Sequence, residues 1–147
     1  MDAYKTINDV LVHLFNEIWE LEEQAIITEE FKDISNNDMH IIEAIGLGDG
    51  NTMSAIAKKL NITAGSLTTS MNSLVNKKYV TRERSEQDRR VVFIKLLPKG
   101  IKAYHHHEEF HEQMTGAVIK NLKEEEVDVL ARTLDSLSDF FRTYSDK

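Results

Sequence analysis

A mainly helical α+β fold is predicted, built around one β-hairpin and framed by long helices at both ends of the chain. Apolar residues recur at spacings of three and four over most of the length, and only one β-prone pair of segments interrupts them. A single Pro and six Gly in 147 residues leave few breaks. A chain of this size buries one core, so residues 1–147 are expected to form a single domain. With 41% apolar and 29% charged residues the composition is that of a globular helical protein and not of a disordered one.

The first helix is carried by Ile7, Val10, Leu14, Ile18 and Leu21, an amphipathic stripe. Asn36 or Asn37 is placed to cap a second helix through Asp38 to Ile45, which Gly46 ends. After a loop from Gly46 to Asn51, Thr52 caps a short helix, Met53 to Leu60, with Ile56, Ala57 and Leu60 inward, and Asn61-Ile62 supplies a tight turn. Thr63 caps the next helix, Ala64 to Lys77, whose buried side is Leu67, Met71, Leu74 and Val75. Tyr79 to Arg84 alternates as a strand, Ser85 to Arg90 is polar and turn-like, and Val91 to Leu96 is strongly β-prone, which makes a hairpin with a charged tip.

Pro98 suits the first turn of a long helix to about residue 120, and Lys123-Glu124-Glu125-Glu126 begins the last helix with acids near its positive end. There Val127, Leu130, Leu134, Leu137, Phe141 and Tyr144 are spaced 3, 4, 3, 4 and 3, a heptad-like stripe. Such a stripe packs either on its own core or on another chain. Terminal helices at both ends of so small a protein favour the second, with Ile7, Leu14, Leu130, Leu134, Leu137 and Phe141 as the contacts of a homodimer.

Charge is unevenly spread. Residues 51–102 hold eleven Lys or Arg against Glu83, Glu86 and Asp88, a local +8, which leaves the rest of the chain at −15. A split of this size marks a surface that meets a polyanion, and double-stranded DNA is the first partner to consider. The absence of Cys removes disulfides, thiolate metal sites and a cysteine nucleophile. No Gly-x-Ser-x-Gly elbow, phosphate loop or His-Glu-x-x-His motif is present, so an enzyme is not expected. The N-terminus lacks a basic leader and no apolar run approaches the roughly 20 residues of a membrane span, so a cytoplasmic location without membrane attachment is expected.

Helix, turn, helix and basic hairpin together make a winged helix-turn-helix lobe at 36–97, flanked by dimerisation helices at 1–35 and 98–147. Thr63, Ser66, Thr68, Thr69 and Asn72 are short and polar, so they let the second helix of the motif approach base edges and phosphates. Asn72 can pair bidentately with adenine. Arg89 and Arg90 at the tip can enter the minor groove or grip its phosphates. Arg82 and Arg84 share one strand face, for DNA or for pairing with Glu83 or Glu86. Asp88 opposes DNA by charge and is read as a salt bridge that shapes the wing and orients Arg90.

Taken together, these residues resemble the MarR family of dimeric winged-helix regulators over nearly the whole length. The matching features are the first helix, Ile7 to Leu21, the lobe Met53 to Lys77, the wing Asp88-Arg89-Arg90, and Lys99-Gly100 opening the long helix. Leu97-Pro98 stands where the family usually has Thr, which bears only on the cap of that helix. A closer likeness, to the family's fatty-acid-synthesis repressors, lies in Phe31-Lys32-Asp33-Ile34-Ser35 with Met39-His40, in Gly65 to Leu74, in Arg84 to Val92, and in Phe110-His111. That likeness implies promoters of fatty acid synthesis genes as targets and long-chain acyl-acyl carrier protein as corepressor.

An acyl chain needs an apolar cavity, for which Trp19, Phe31, Met39, His40, Phe110 and Met114 are candidates, and Lys95, Lys99 and Lys102 are candidates for docking an acidic carrier protein. His107 and His111, four apart on a helix, have a spacing that can grip a transition metal. With His40, and a carboxylate from Glu20, Glu22, Glu23, Glu108 or Glu112, they would form the site of a zinc-responsive regulator, which the chain resembles more distantly. No cofactor and no metal are assigned on the preferred reading, where these histidines serve structure or the acyl pocket. His13, His105 and His106 are expected on solvated or half-buried faces.

Overall fold

The computed structural model describes residues 2–26, 28 and 30–145. Its elements run α1 (Ala3–Ile26), α2 (Asn36–Ile45), β1 (Asn51–Thr52), α3 (Met53–Leu60), α4 (Ala64–Asn76), β2 (Val80–Arg84), β3 (Val92–Leu96), α5 (Pro98–Ile119) and α6 (Glu124–Ser145). Two compact units divide the chain, Met1–Phe110 and His111–Lys147. The first holds a core of residues from α2, α3, α4, the sheet and the start of α5, among them Met39, Ile41, Ile42, Ile56, Leu67, Met71, Leu74, Tyr79 and Ile94. Ile56 and Ala57 of α3, and Leu67, Met71 and Leu74 of α4, are buried as their spacing predicts, with Leu60 and Val75 half-covered at the margin.

The antiparallel sheet is ordered β1-β3-β2. β2 and β3 pair from Val80 with Leu96 to Arg84 with Val92, which is the predicted hairpin. β1 was not predicted: Asn51 and Thr52 pair with Ile94 and Phe93, and a strand of two residues carries no alternation to read. It ties the start of α3 to the inner strand of the hairpin. Gly50 makes that approach possible, since its φ is +80° and a Cβ there would lie 1.9 Å from the Ile94 carbonyl oxygen.

Thr52 and Thr63 cap α3 and α4 as expected, accepting from the amides of Ala55 and Ser66. The cap of α2 is Ser35, one residue before Asn36 and two before Asn37, the predicted candidates. Ser35 Oγ accepts from Asp38 N and Asp38 Oδ2 accepts from Ser35 N, both at 3.1 Å, a reciprocal capping box. Asn36 is instead buried, and its Nδ2 donates to Oε2 of the buried Glu22 on α1 at 3.3 Å.

The segment before α2 is fastened by Asp33. Its carboxylate accepts from the Tyr79 hydroxyl at 2.6 Å and from Lys99 Nζ at 3.3 Å, its carbonyl accepts from Lys77 Nζ, and the Lys99 ammonium stands over the Tyr79 ring. Gly100 lets α5 begin this close to Tyr79, because a Cβ would sit 2.2 Å from the Tyr79 carbonyl oxygen. Burial alone would push the Asp33 carboxyl up. The Tyr79 hydrogen bond, together with the hydrogen bond and charge of Lys99, outweighs that and holds it below the ordinary value of 3.8.

Asp33→Ala is therefore expected to lower stability at neutral pH by about 1–2 kcal/mol, since the Tyr79 hydroxyl loses its acceptor. A carboxyl with a depressed folded pKa stabilises above its unfolded value and loses that contribution as the pH falls through the folded one. Urea titrations of both proteins should thus differ at pH 7 and converge only below 3.8, the ordinary carboxyl value. A gap that closes between pH 5 and 7 would place the effect elsewhere.

The terminal helices present apolar residues to solvent. On α1 Ile7, Val10, Leu14 and Trp19 are exposed; on α6 Leu134 and Phe141 are exposed while Val127, Leu130 and Leu137 are half-buried.

Candidate nucleic-acid interface

α4 turns directly into β2. Lys77 N donates to Ser73 O, Lys78 N to Val75 O and Tyr79 N to Leu74 O, all between 2.9 and 3.1 Å. Lys78 takes a left-handed φ of 67° to make that turn. This short connection fixes the helix against the wing, so their polar residues lie on neighbouring elements of one unit.

Along α4, Ser66, Thr68, Thr69 and Asn72 are all exposed. Two of the hydroxyls are committed. Thr63 Oγ1 accepts the cap bond and donates to Ser66 Oγ at 3.0 Å, and Thr68 Oγ1 donates to the Ala64 carbonyl at 2.8 Å. Thr68 thus retains an acceptor and a methyl group for a ligand, not a free proton. Asn72 Oδ1 accepts from Arg82 Nη1 at 2.6 Å, and Arg84 Nη1 donates to the Arg89 carbonyl at 2.7 Å. In place of the alternative pairing with Glu83 or Glu86, these two arginines take partners across the α4–β2 turn and across the wing.

The wing is a braced turn. Ser85 N donates to Val91 O, Val91 N to Asp88 O, and Asp88 N to Ser85 Oγ. Asp88 in turn accepts from Arg90 three times, at N and Nε through Oδ1 (3.1 Å each) and at Nη2 through Oδ2 (3.2 Å). The side-chain and backbone hydrogen bonds of Arg90 hold the Asp88 carboxyl below the usual carboxylate range. The Arg90 side chain is 91% exposed all the same, so the pair aims the guanidinium outward and does not bury it. Arg89 is exposed beside it.

Asp88→Ala removes a negative charge from a surface offered to a polyanion, so charge alone predicts tighter DNA binding. The bracing predicts the opposite, because Arg90 and the turn lose their orientation. Weaker duplex binding, by about threefold to tenfold, is expected in fluorescence anisotropy, each tenfold being about 1.4 kcal/mol. Tighter binding would reduce Asp88 to a simple repulsive charge.

A second cluster lies where α1, α2 and α5 meet within the first unit. His40 approaches Glu22 Oε2 at 3.4 Å and Glu43 Oε2 at 3.8 Å, its ring stacks on Trp19, and the buried His107 meets Glu43 Oε2 at 3.2 Å. His40, Glu43 and His107 each bring one ligand atom within 4.8 Å of the others. Glu43 was not among the expected carboxylates, although its place three residues after His40 on one helix puts them on one face. His111 belongs to the second unit. His106 Nε2 is 2.8 Å from the Ala25 carbonyl, half-buried, while His13 and His105 are exposed.

Of the candidates for an acyl pocket, Phe31 and Met39 are closed into the core, Trp19 is exposed, and Phe110 is half-buried, as is Met114 in the second unit. His40 also lines a cleft of about 410 Å³ with Glu43, Ala44, Lys59, Leu60 and Tyr104, a mixed-charge setting unlike an acyl tunnel. Of the candidate docking lysines, Lys99 is paired with Asp33 and Lys102 with Glu30. No helix is long and apolar enough to cross a membrane among the described residues.

Residues 32–91 match the model of the MarR family. Streptococcus pneumoniae FabT, solved in complex with DNA, is 40% identical, with 95% of this chain and 98% of that one covered and a TM-score of 0.86. Staphylococcus aureus MepR, solved as a DNA complex, is 27% identical with 87% and 96% covered and a TM-score of 0.68. The HTH-type transcriptional regulator YpoP of Bacillus subtilis is 30% identical over 84 residues, and the chain spans 57% of its length.

Proposed function

We propose, from the premise that this chain belongs to the MarR family of DNA-binding transcriptional regulators, that it acts in the cytoplasm as a homodimeric repressor of fatty acid synthesis genes. Its corepressor would be long-chain acyl-acyl carrier protein. The observation that carries the reading is the 40% identity with FabT over 95% of this chain. The exposed polar face of α4 and the two exposed arginines of the wing supply the chemistry: short side chains for the major groove and cations for phosphates. The apolar stripes of α1 and α6 supply surfaces for a second copy.

The acyl chain is proposed to contact Trp19 and His40 first, since Phe31 and Met39 become reachable only if the core around them opens. Lys95 is the candidate docking lysine without an ion pair among those described, so carrier protein binding at Lys99 and Lys102 would have to displace Asp33 and Glu30.

One experiment tests the reading in two steps. Genomic fragments retained by the purified protein are sequenced, and the strongest is titrated with and without acyl-acyl carrier protein. Fatty acid synthesis promoters, bound more tightly with the acylated carrier than with the free one, are expected; promoters of unrelated genes would refute the specific role. Arg89→Ala and Arg90→Ala should each weaken binding on every fragment. Each should also flatten the slope of log K against log salt by about 0.9 for every phosphate that the missing guanidinium had neutralised. Unchanged slopes would remove the wing from the interface.

The cluster of His40, Glu43 and His107 favours one alternative, a zinc-responsive regulator of the same family, in which neutral imidazole nitrogens and a carboxylate would hold the ion. Metal analysis of chelator-free protein separates the two: operator binding that rises with zinc and ignores the acylated carrier would favour zinc.

A further inference from the structure

The segment just before α2 lays two acids on three lysines at the edge of the DNA-binding lobe. Glu30 Oε1 stands 3.6 Å from Lys102 Nζ, and Asp33 Oδ2 accepts from Lys99 Nζ at 3.3 Å. The Asp33 carbonyl accepts from Nζ of Lys77, the C-terminal cap of α4. Lys99 and Lys102, three apart, share one face of α5 within its first two turns, where the positive end of the helix disfavours cations and suits an anionic partner. The two pairs reach solvent, Lys99 being 39% and Lys102 71% exposed, so a partner can compete for these lysines without opening the core.

The same carboxylate also leads inward. Asp33 Oδ1 accepts from the hydroxyl of the buried Tyr79 at 2.6 Å. The Tyr79 amide donates to the Leu74 carbonyl of α4, and its carbonyl accepts from the amide of Leu97, just before α5. One residue therefore joins a candidate docking lysine, the cap of α4 and the turn into the wing.

We propose that Glu30 and Asp33 are an intramolecular stand-in for an acidic protein partner: they close Lys99 and Lys102 until carrier protein displaces them, and the displacement reaches α4 through Lys77 and Tyr79. The inference rests on the corepressor proposed above and adds how its docking is read by the DNA-binding lobe. Carrier carboxylates replace Glu30 and Asp33 on Lys99 and Lys102, so the charge balance there is kept. What changes is Lys77, freed from the Asp33 carbonyl to meet the DNA backbone, which makes the displaced segment the state that binds DNA tightly. A ligand shifts such an equilibrium by its preference for one state, and the carrier prefers the one in which its lysines are open.

Wild type, Glu30→Gln, Asp33→Asn and Glu109→Gln are titrated with acyl-acyl carrier protein, and their affinity for the best-retained genomic duplex is measured with and without it. Glu109, exposed about two turns beyond Lys102 on α5, is the control for an equal change of charge. Glu30→Gln should bind the carrier about threefold tighter than wild type, the scale of releasing an exposed ion pair, and Glu109→Gln should not. Asp33→Asn keeps an acceptor for the Tyr79 hydroxyl and loses the ion pair with Lys99. It should bind the carrier more tightly, hold DNA about threefold more tightly without it, and gain less on its addition. Equal carrier affinities for Glu30→Gln and Glu109→Gln reduce the effect to net charge and overturn the inference. So does an Asp33→Asn protein whose carrier-induced gain equals that of wild type. In both cases wild type still responds to the carrier and the proposed corepressor stands; a wild type that binds its promoters and ignores the carrier removes the corepressor and this inference together.

Discussion

Gly50→Ala is expected to lower stability by about 3 kcal/mol, a large effect for a single methyl group. Two costs combine at this position. A φ of +80° is strained for any residue with a Cβ, and the new carbon would lie 1.9 Å from the Ile94 carbonyl oxygen and 2.9 Å from its carbon, both backbone atoms. The way out is for β1 to leave β3, which breaks the pairing of Asn51 and Thr52 with Ile94 and Phe93. Since β1 runs straight into the Thr52 cap of α3, the base of the wing and the first helix of the DNA-binding motif would loosen together. Thermal unfolding should shift down by roughly 10 °C. Gly46→Ala, also at positive φ but with nothing within 4 Å of the added carbon, is the control and should cost only the backbone strain. Equal losses in the two variants would mean that the Ile94 contact contributes nothing.

Leu134→Glu is expected to leave a helical monomer with operator affinity reduced by about a hundredfold or more. Leu134 is 52% exposed in the single chain, so a carboxylate there meets solvent and the chain's own core is not disturbed. In a dimer built on the α6 stripe the same carboxylate would be buried without a partner, which strongly disfavours association. Losing the second subunit removes the effective concentration that lets two lobes engage one operator, and that loss alone can reach a factor of about 10² to 10⁴. Sedimentation and anisotropy on the same sample check both halves of the expectation. A stable Leu134→Glu dimer would mean that the stripe of Leu130, Leu134, Leu137 and Phe141 faces something other than a second copy.

What the sequence disclosed and what it hid divide along physical lines. Helices α3 and α4, their caps Thr52 and Thr63, and the hairpin were legible because periodicity and capping are local and the changes of period are abrupt. The α2 cap was not. Ser35, Asn36 and Asn37 are three capping residues in succession, and the deciding partner, Asp38, is a shorter acid than the Glu or Gln that usually closes a capping box. Asn36 went instead to a buried carboxylate on α1, a contact across 14 residues that no local pattern announces.

In the candidate interface the residue types were legible and their partners were not. The Asp88 to Arg90 brace lies within three residues and follows from charge alone. The bonds from Arg82 to Asn72 and from Arg84 to the Arg89 carbonyl depend on how α4 meets β2 and how the wing folds back. Asp33 is the extreme case, a loop residue whose partners Tyr79 and Lys99 are 46 and 66 positions away. The apolar faces of α1 and α6 could be read as stripes, while exposure in the folded chain is what distinguishes them from core.

The central claim is that α4 and the arginine-bearing wing form a cationic surface that grips duplex DNA, and the salt dependence of binding tests it most directly. Affinity for the best-retained genomic fragment is measured from low to physiological ionic strength, with acylated carrier protein or zinc supplied in parallel. Two subunits each placing Arg89 and Arg90 on phosphates predict a slope of log K against log salt at least as steep as about −3.6, from about −0.9 per phosphate. A chain that leaves every such duplex unbound even at the lowest salt, with either effector present, would contradict the account.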